Sequence, residues 1–111
     1  MGGLAIAKPW TPLTAAAAAA LPAQLGVYEI ADASGAVVRI GYAGGREPFG
    51  LRSSLAGEVE ARLGTQFRVE TTHGYLTRWE ELLMLHRAEH GSLPAGNADR
   101  LTPVGRLRPL S

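Results

Sequence analysis

Cysteine is missing from all 111 residues, which excludes disulfides, thiolate nucleophiles and every cysteine-based zinc or iron-sulfur site at once. Any metal must therefore sit on oxygen or imidazole. A strong charge of one sign is missing too: the formal net charge is +1, too small to advertise nucleic-acid binding by itself. No apolar run approaches the ~20 residues of a membrane span. The alanine run Ala15 to Ala20 lacks the basic lead-in of a signal peptide, since Trp10, Pro12 and a single lysine precede it. Internal repeats are absent, and the glycine-rich stretch contains neither G-x-x-x-x-G-K-[ST] nor G-x-G-x-x-G, so nucleotide cradling has no support. These absences leave one small domain with no membrane association, expected in the cytoplasm.

What is present is ordinary for a folded chain: 46% hydrophobic and 19% charged residues, where disorder calls for fewer apolar residues and a larger net charge. The basic residues are distributed unevenly. Ten of the eleven are arginine, all from Arg39 onward, whereas the first 38 residues carry only Lys8, Glu29 and Asp32. Guanidinium forks suit phosphate oxygens, so the basic half of the chain is the half in which to look for a site. Arg100, Arg106 and Arg108 place part of that charge near the C-terminus.

Periodicity supplies the elements. Thr11 as cap, Pro12 at the first helical position, the alanines and the stop at Pro22 predict a short N-terminal helix. Val27 to Ile30 and Val37 to Ile40, separated by Asp32-Ala33-Ser34-Gly35, alternate as a β-hairpin. After a glycine-containing loop from Gly41 to Gly50, Leu51, Leu55, Val59 and Leu63 recur every four residues and predict a helix over about Leu51 to Leu63. Phe67, Val69 and Thr71 form a third half-buried strand, broken at Gly74. Thr77-Arg78-Trp79-Glu80 has the form of a capping box and predicts a second long helix from there to Gly91. The proline-containing tail reads as loop, with a short strand near Val104. The expected fold is α/β of the α+β type: a three-stranded, mainly antiparallel sheet flanked by helices, in the order β-β-α-β-α, behind a short Ala-rich helix. Residues 1–22 form the lead-in, 23–98 the core domain and 99–111 a basic tail.

The order of these elements, with Gly26-Val27-Tyr28 on the first strand of the hairpin and Arg39-Ile40-Gly41 on the second, resembles the signature hairpin of the GIY-YIG nuclease superfamily. The resemblance extends from Leu21 to Asn97. It implies hydrolysis of nucleic-acid phosphodiester bonds, DNA before RNA, with a divalent cation, Mg2+ or Mn2+. Tyr28 would position or deprotonate the attacking water, and Arg52 would supply a fixed positive charge for the transition state. Glu81 would hold the metal, and Asn97 would orient its neighbours. Arg39, Tyr42 and Arg46 would face the substrate. Glu81 is preferred over Glu80 because the capping box commits the Glu80 carboxylate to a backbone amide. Arg39 departs from the pattern, standing where the second signature tyrosine belongs, and an arginine holds its proton too firmly to act as a base near neutral pH. Two further readings therefore stay open: a nucleic-acid-binding module of the same shape without catalysis, and a protein-interaction module. His86-Arg87-Ala88-Glu89-His90 also fits the H-x-x-E-H pattern of a zinc peptidase class. That chemistry needs a third protein ligand, and only Asp99 is acidic downstream of Glu89.

Overall fold

A computed structural model describes residues 5–97. The expected tail strand near Val104 and the cluster Arg100, Arg106 and Arg108 lie outside the described residues. In chain order the elements are β1 (Thr11–Pro12), α1 (Ala15–Ala19), β2 (Gly26–Ala31), β3 (Val37–Ala43), α2 (Leu51–Ala61), β4 (Gln66–Thr71) and α3 (Tyr75–His90). The strands form one sheet in the order β1-β4-β2-β3, each pair antiparallel. The α+β class and the element order from β2 onward match the sequence reading.

The sheet has four strands rather than three, because Thr11 and Pro12 pair with Phe67 and Gln66 instead of opening a helix. The main chain continues this pairing with a bond from the Leu13 amide to the Thr65 carbonyl, 2.9 Å. Helix capping passes to Thr14, whose extended backbone lets its hydroxyl accept from the Ala17 amide at 3.1 Å. Two other boundaries move. α2 ends at Ala61 because Arg62 adopts a left-handed conformation, φ 55°, which leaves Leu63 beyond the helix and partly exposed. α3 begins at Tyr75 with Gly74 at its cap and no side-chain capping bond, so Thr77 lies inside the helix and the expected capping box does not form.

Alternation along β2 divides its side chains between two apolar layers. Tyr28 and Ile30 face α1 and α2, where they pack with Ala18, Leu51, Leu55 and Phe67. Val27 faces α3 and packs with Ile6, Ile40, Leu82 and Leu83. Leu51 and Leu55 are fully buried, each worth about 1.5–3 kcal/mol against exposure. Gly50 fixes where α2 starts: at φ 55° it lies so close to Gln24 that a Cβ would stand 2.3 Å from that carbonyl oxygen. The Leu51 amide then donates to the same oxygen at 2.8 Å. Among the described residues no helix is long and apolar enough to cross a membrane.

Candidate functional site

The hairpin register places Tyr28 opposite Gly41 and Ile30 opposite Arg39. Directly opposed residues share a face, so Tyr28 and Arg39 both project toward α2. Gly41 allows this: a Cβ there would fall 2.3 Å from Tyr28 Cζ, so the phenol ring crosses β3 where a side chain is missing. The ring reaches Glu58 on α2, and its hydroxyl donates to Glu58 Oε2 at 2.6 Å. Arg39 Nε donates to Glu58 Oε1 at 3.1 Å, and its Nη1 makes a long 3.4 Å contact to the Gly96 carbonyl. Glu58 is only 6% exposed. A carboxylate so placed loses hydration and needs its partners to compensate, and Tyr28 and Arg39 supply that compensation. A cleft of about 280 Å³ runs alongside, bordered by Tyr28, Arg39, Ser53, Ser54 and Glu58. A larger cavity, about 490 Å³, lies elsewhere, between residues 23–25, the 45–50 loop and residues 71–73. None of the residues predicted for the site borders it.

The other predicted residues do not join this cluster. Arg52, on the first turn of α2, donates from Nε to the Leu21 carbonyl at 3.0 Å, and its guanidinium carbon lies 5.8 Å from the centre of the Phe49 ring. It braces the end of the α1 segment and does not border the cleft. Tyr42 touches the cleft border, but its ring stacks on Tyr75, centroids 5.5 Å apart, and meets Trp79 edge-on at 5.1 Å, all on the α3 layer. Arg46 is exposed in the loop between β3 and α2.

Glu81 lies across the sheet from Tyr28. It accepts from Arg78 Nη1 at 3.3 Å, and Arg78 also bonds both oxygens of Glu70, at 2.9 and 3.1 Å. Glu70 opposes Val27 in the ladder, which puts this network on the α3 face. Hydrogen bonding to Glu70, and secondarily its charge, holds the Arg78 guanidinium above its ordinary value, with Glu81 adding to the effect. The reason for setting Glu80 aside also falls, since the capping box is not made and Glu80 is simply exposed.

Asn97 is fully buried and has both amide groups engaged. Its Oδ1 accepts from the Ile40 amide and its Nδ2 donates to the Ile40 carbonyl, each at 2.7 Å. It therefore acts as a one-residue neighbour on the open side of β3, and Trp79 Nε1 adds a second donor to the Ile40 carbonyl at 2.8 Å. Asn97 does orient its surroundings by hydrogen bonds, but those surroundings are main chain.

Tyr28 and Arg39 are thus brought together, Arg52, Tyr42, Arg46 and Glu81 are not, and Glu58 is the residue that sequence reasoning missed. Its signal was available: Leu51, Leu55 and Glu58 fall at i, i+4 and i+7, a glutamate on the apolar stripe of a helix. The resemblance assigns the divalent ion to Glu81, and that carboxylate is paired with Arg78. Glu81 and Glu70 share a guanidinium, Glu58 is engaged by Tyr28 and Arg39, and no three His, Cys, Asp or Glu side chains are grouped to hold a metal among the described residues.

Searches of the curated proteins and of the solved structures find no match to this chain. A family model described as a domain of unknown function, DUF7508, matches residues 4–89, and the chain belongs to that family.

Proposed function

We propose that this chain is a GIY-YIG-like domain that binds nucleic acid in the cytoplasm without cleaving it. The carrying observation is the separation of the residues on which cleavage would depend: Tyr28 and Arg39 converge on Glu58 on one face of the sheet, while Glu81 pairs with Arg78 on the other. In this reading the signature hairpin serves the fold. Tyr28 and Gly41 lock the two strands against α2, and Arg39 is spent on a buried carboxylate instead of a phosphate. The ligand class follows from the arginine-dominated basic half. Arg46, Arg62 and Arg87 are exposed, and guanidinium groups are well matched to phosphate oxygens.

Labelled single-stranded and duplex DNA and RNA, titrated at about 50 and 200 mM salt, test this reading. Binding should weaken steeply with salt, and no product should form with Mg2+ or Mn2+. Cleavage that depends on the divalent ion and disappears in Glu81→Ala would establish the nuclease instead. Failure to bind any of these probes at the lower salt would leave the protein-interaction reading.

A further inference from the structure

We propose that His86 and His90 form a two-imidazole site for a late first-row divalent ion, Zn2+ or Ni2+, at the C-terminal end of α3. This goes beyond the nucleic-acid reading and does not rest on it. The two residues are four apart on one helix, so they occupy one face one turn apart. Their ring centroids are 4.4 Å apart. An ion ~2.1 Å from an imidazole nitrogen lies roughly 3.2 Å from that ring's centre, so two rings on one ion are about 4.5–5.2 Å apart for ligand angles of roughly 90–109°. The observed spacing, with the ring planes tilted by 37°, is within a few tenths of an ångström of that range.

A second observation concerns the protonation of the ligand. His86 Nδ1 lies 3.0 Å from the Ser92 carbonyl oxygen. A carbonyl has no proton to give, so Nδ1 carries the hydrogen of this bond and the neutral ring keeps its lone pair on Nε2. Carbonyl contacts of this kind fix the tautomer and ring orientation of metal-binding histidines. The helix end creates the contact: Gly91, at φ 82°, turns the chain left-handed and donates its amide to the Arg87 carbonyl at 2.8 Å, and Ser92 follows directly. Glu89 places a carboxylate oxygen 3.6 Å from His90 Nε2, which adds negative charge beside the site. The exposed carbonyls of a helix C-terminus also favour a cation there.

The site differs from the peptidase pattern in what it asks of the chain. Two protein nitrogens leave the remaining positions of the ion to water, and imidazole suits zinc and nickel. No reaction is required of it; the ion staples the last turn of α3.

Zn2+ titrated into the intact chain tests the assignment, read by calorimetry and by the ring-nitrogen NMR signals of the three histidines. His86 Nε2 and one His90 ring nitrogen should shift together while His73 stays in place. His90→Gln and His86→Gln should each weaken Zn2+ at least about ten-fold with unchanged far-UV circular dichroism. His73→Gln should bind as the wild type does. Equal affinity in His90→Gln and wild type, a shift led by His73, or no saturable binding below about 1 mM would overturn the proposal.

Discussion

Replacing Asn97 with alanine separates a structural role from a catalytic one. The side chain is fully buried, and its amide makes two 2.7 Å bonds to the main chain of Ile40. In Asn97→Ala the Ile40 carbonyl keeps Trp79 Nε1 at 2.8 Å, but the Ile40 amide loses the partner it has on the open side of β3. Stranding a buried donor costs about 1–3 kcal/mol, and the volume left by the amide adds a smaller cavity cost. The sum is about 2–4 kcal/mol, a large share of the ~5–15 kcal/mol that holds a domain together. For a chain of this size the midpoint of thermal unfolding should fall by roughly 8–16 °C, and urea unfolding should show the same loss. Asn97→Asp should do no better, because a carboxylate accepts from the Ile40 amide but sets an oxygen against its carbonyl. If Asn97→Ala were within about 0.5 kcal/mol of wild type and lost nucleic-acid binding or processing, the structural account of Asn97 would be refuted.

Three further outcomes are expected. Gly41→Ala places a Cβ 2.3 Å from Tyr28 Cζ and should destabilise by about 1–3 kcal/mol, with a changed tyrosine environment in near-UV circular dichroism; a neutral effect would mean that the ring does not lie across β3. Glu58→Ala leaves Arg39 beside the cleft without its counter-ion and should cost about 3–5 kcal/mol, whereas Glu81→Ala, on a half-exposed pair, should stay within about 1 kcal/mol; reversal of that order in urea unfolding would refute the assignment of the buried cluster. The hydrogen bond from Ser34, followed by that from the Ala36 amide, holds the Asp32 carboxyl below its ordinary 3.8. A carboxyl depressed in the folded state stabilises it above the unfolded value, and that stabilisation disappears as pH falls through the folded value. The stability difference between wild type and Asp32→Ala should therefore be constant near neutrality and shrink below pH 3.8; a difference that widens in acid would contradict the turn geometry.

The hairpin, α2, β4 and the stop of α3 at Gly91 were legible because each rests on local pattern: alternation, a four-residue apolar repeat, a glycine at φ 82°. What escaped was decided by tertiary partners. Thr11 and Pro12 read as a helix start because alanines follow, yet β4 offers its free edge and takes them as a strand. Thr77 and Glu80 have capping-box spacing, but Tyr75 and Leu76 extend the helix by two residues and bury the cap inside it. In the candidate site, Tyr28 and Arg39 could be placed together from strand register alone. Glu58 and Glu81 could not be ranked that way, because the choice depends on which layer each helix covers. α2 lies on the Tyr28 face and α3 on the Val27 face, and that difference resides in packing.

The two edges of the sheet differ in how their backbone groups are covered. An exposed strand is adhesive because its unpaired amides and carbonyls can recruit another chain. On one side the last strand among the described residues is β1, two residues long and including Pro12, which has no amide hydrogen to offer. On the other, Asn97 occupies both groups of Ile40, and Gly96 lies so near that a Cβ would be 2.6 Å from the Val38 carbonyl oxygen. Among the described residues, 94–97 are thus what covers the outer edge of the seven-residue β3. Proteolysis just after Gly91 would spare every helix and strand named above, yet it would uncover the amide and carbonyl of Ile40 that Asn97 now occupies and leave that edge of β3 free to recruit another chain.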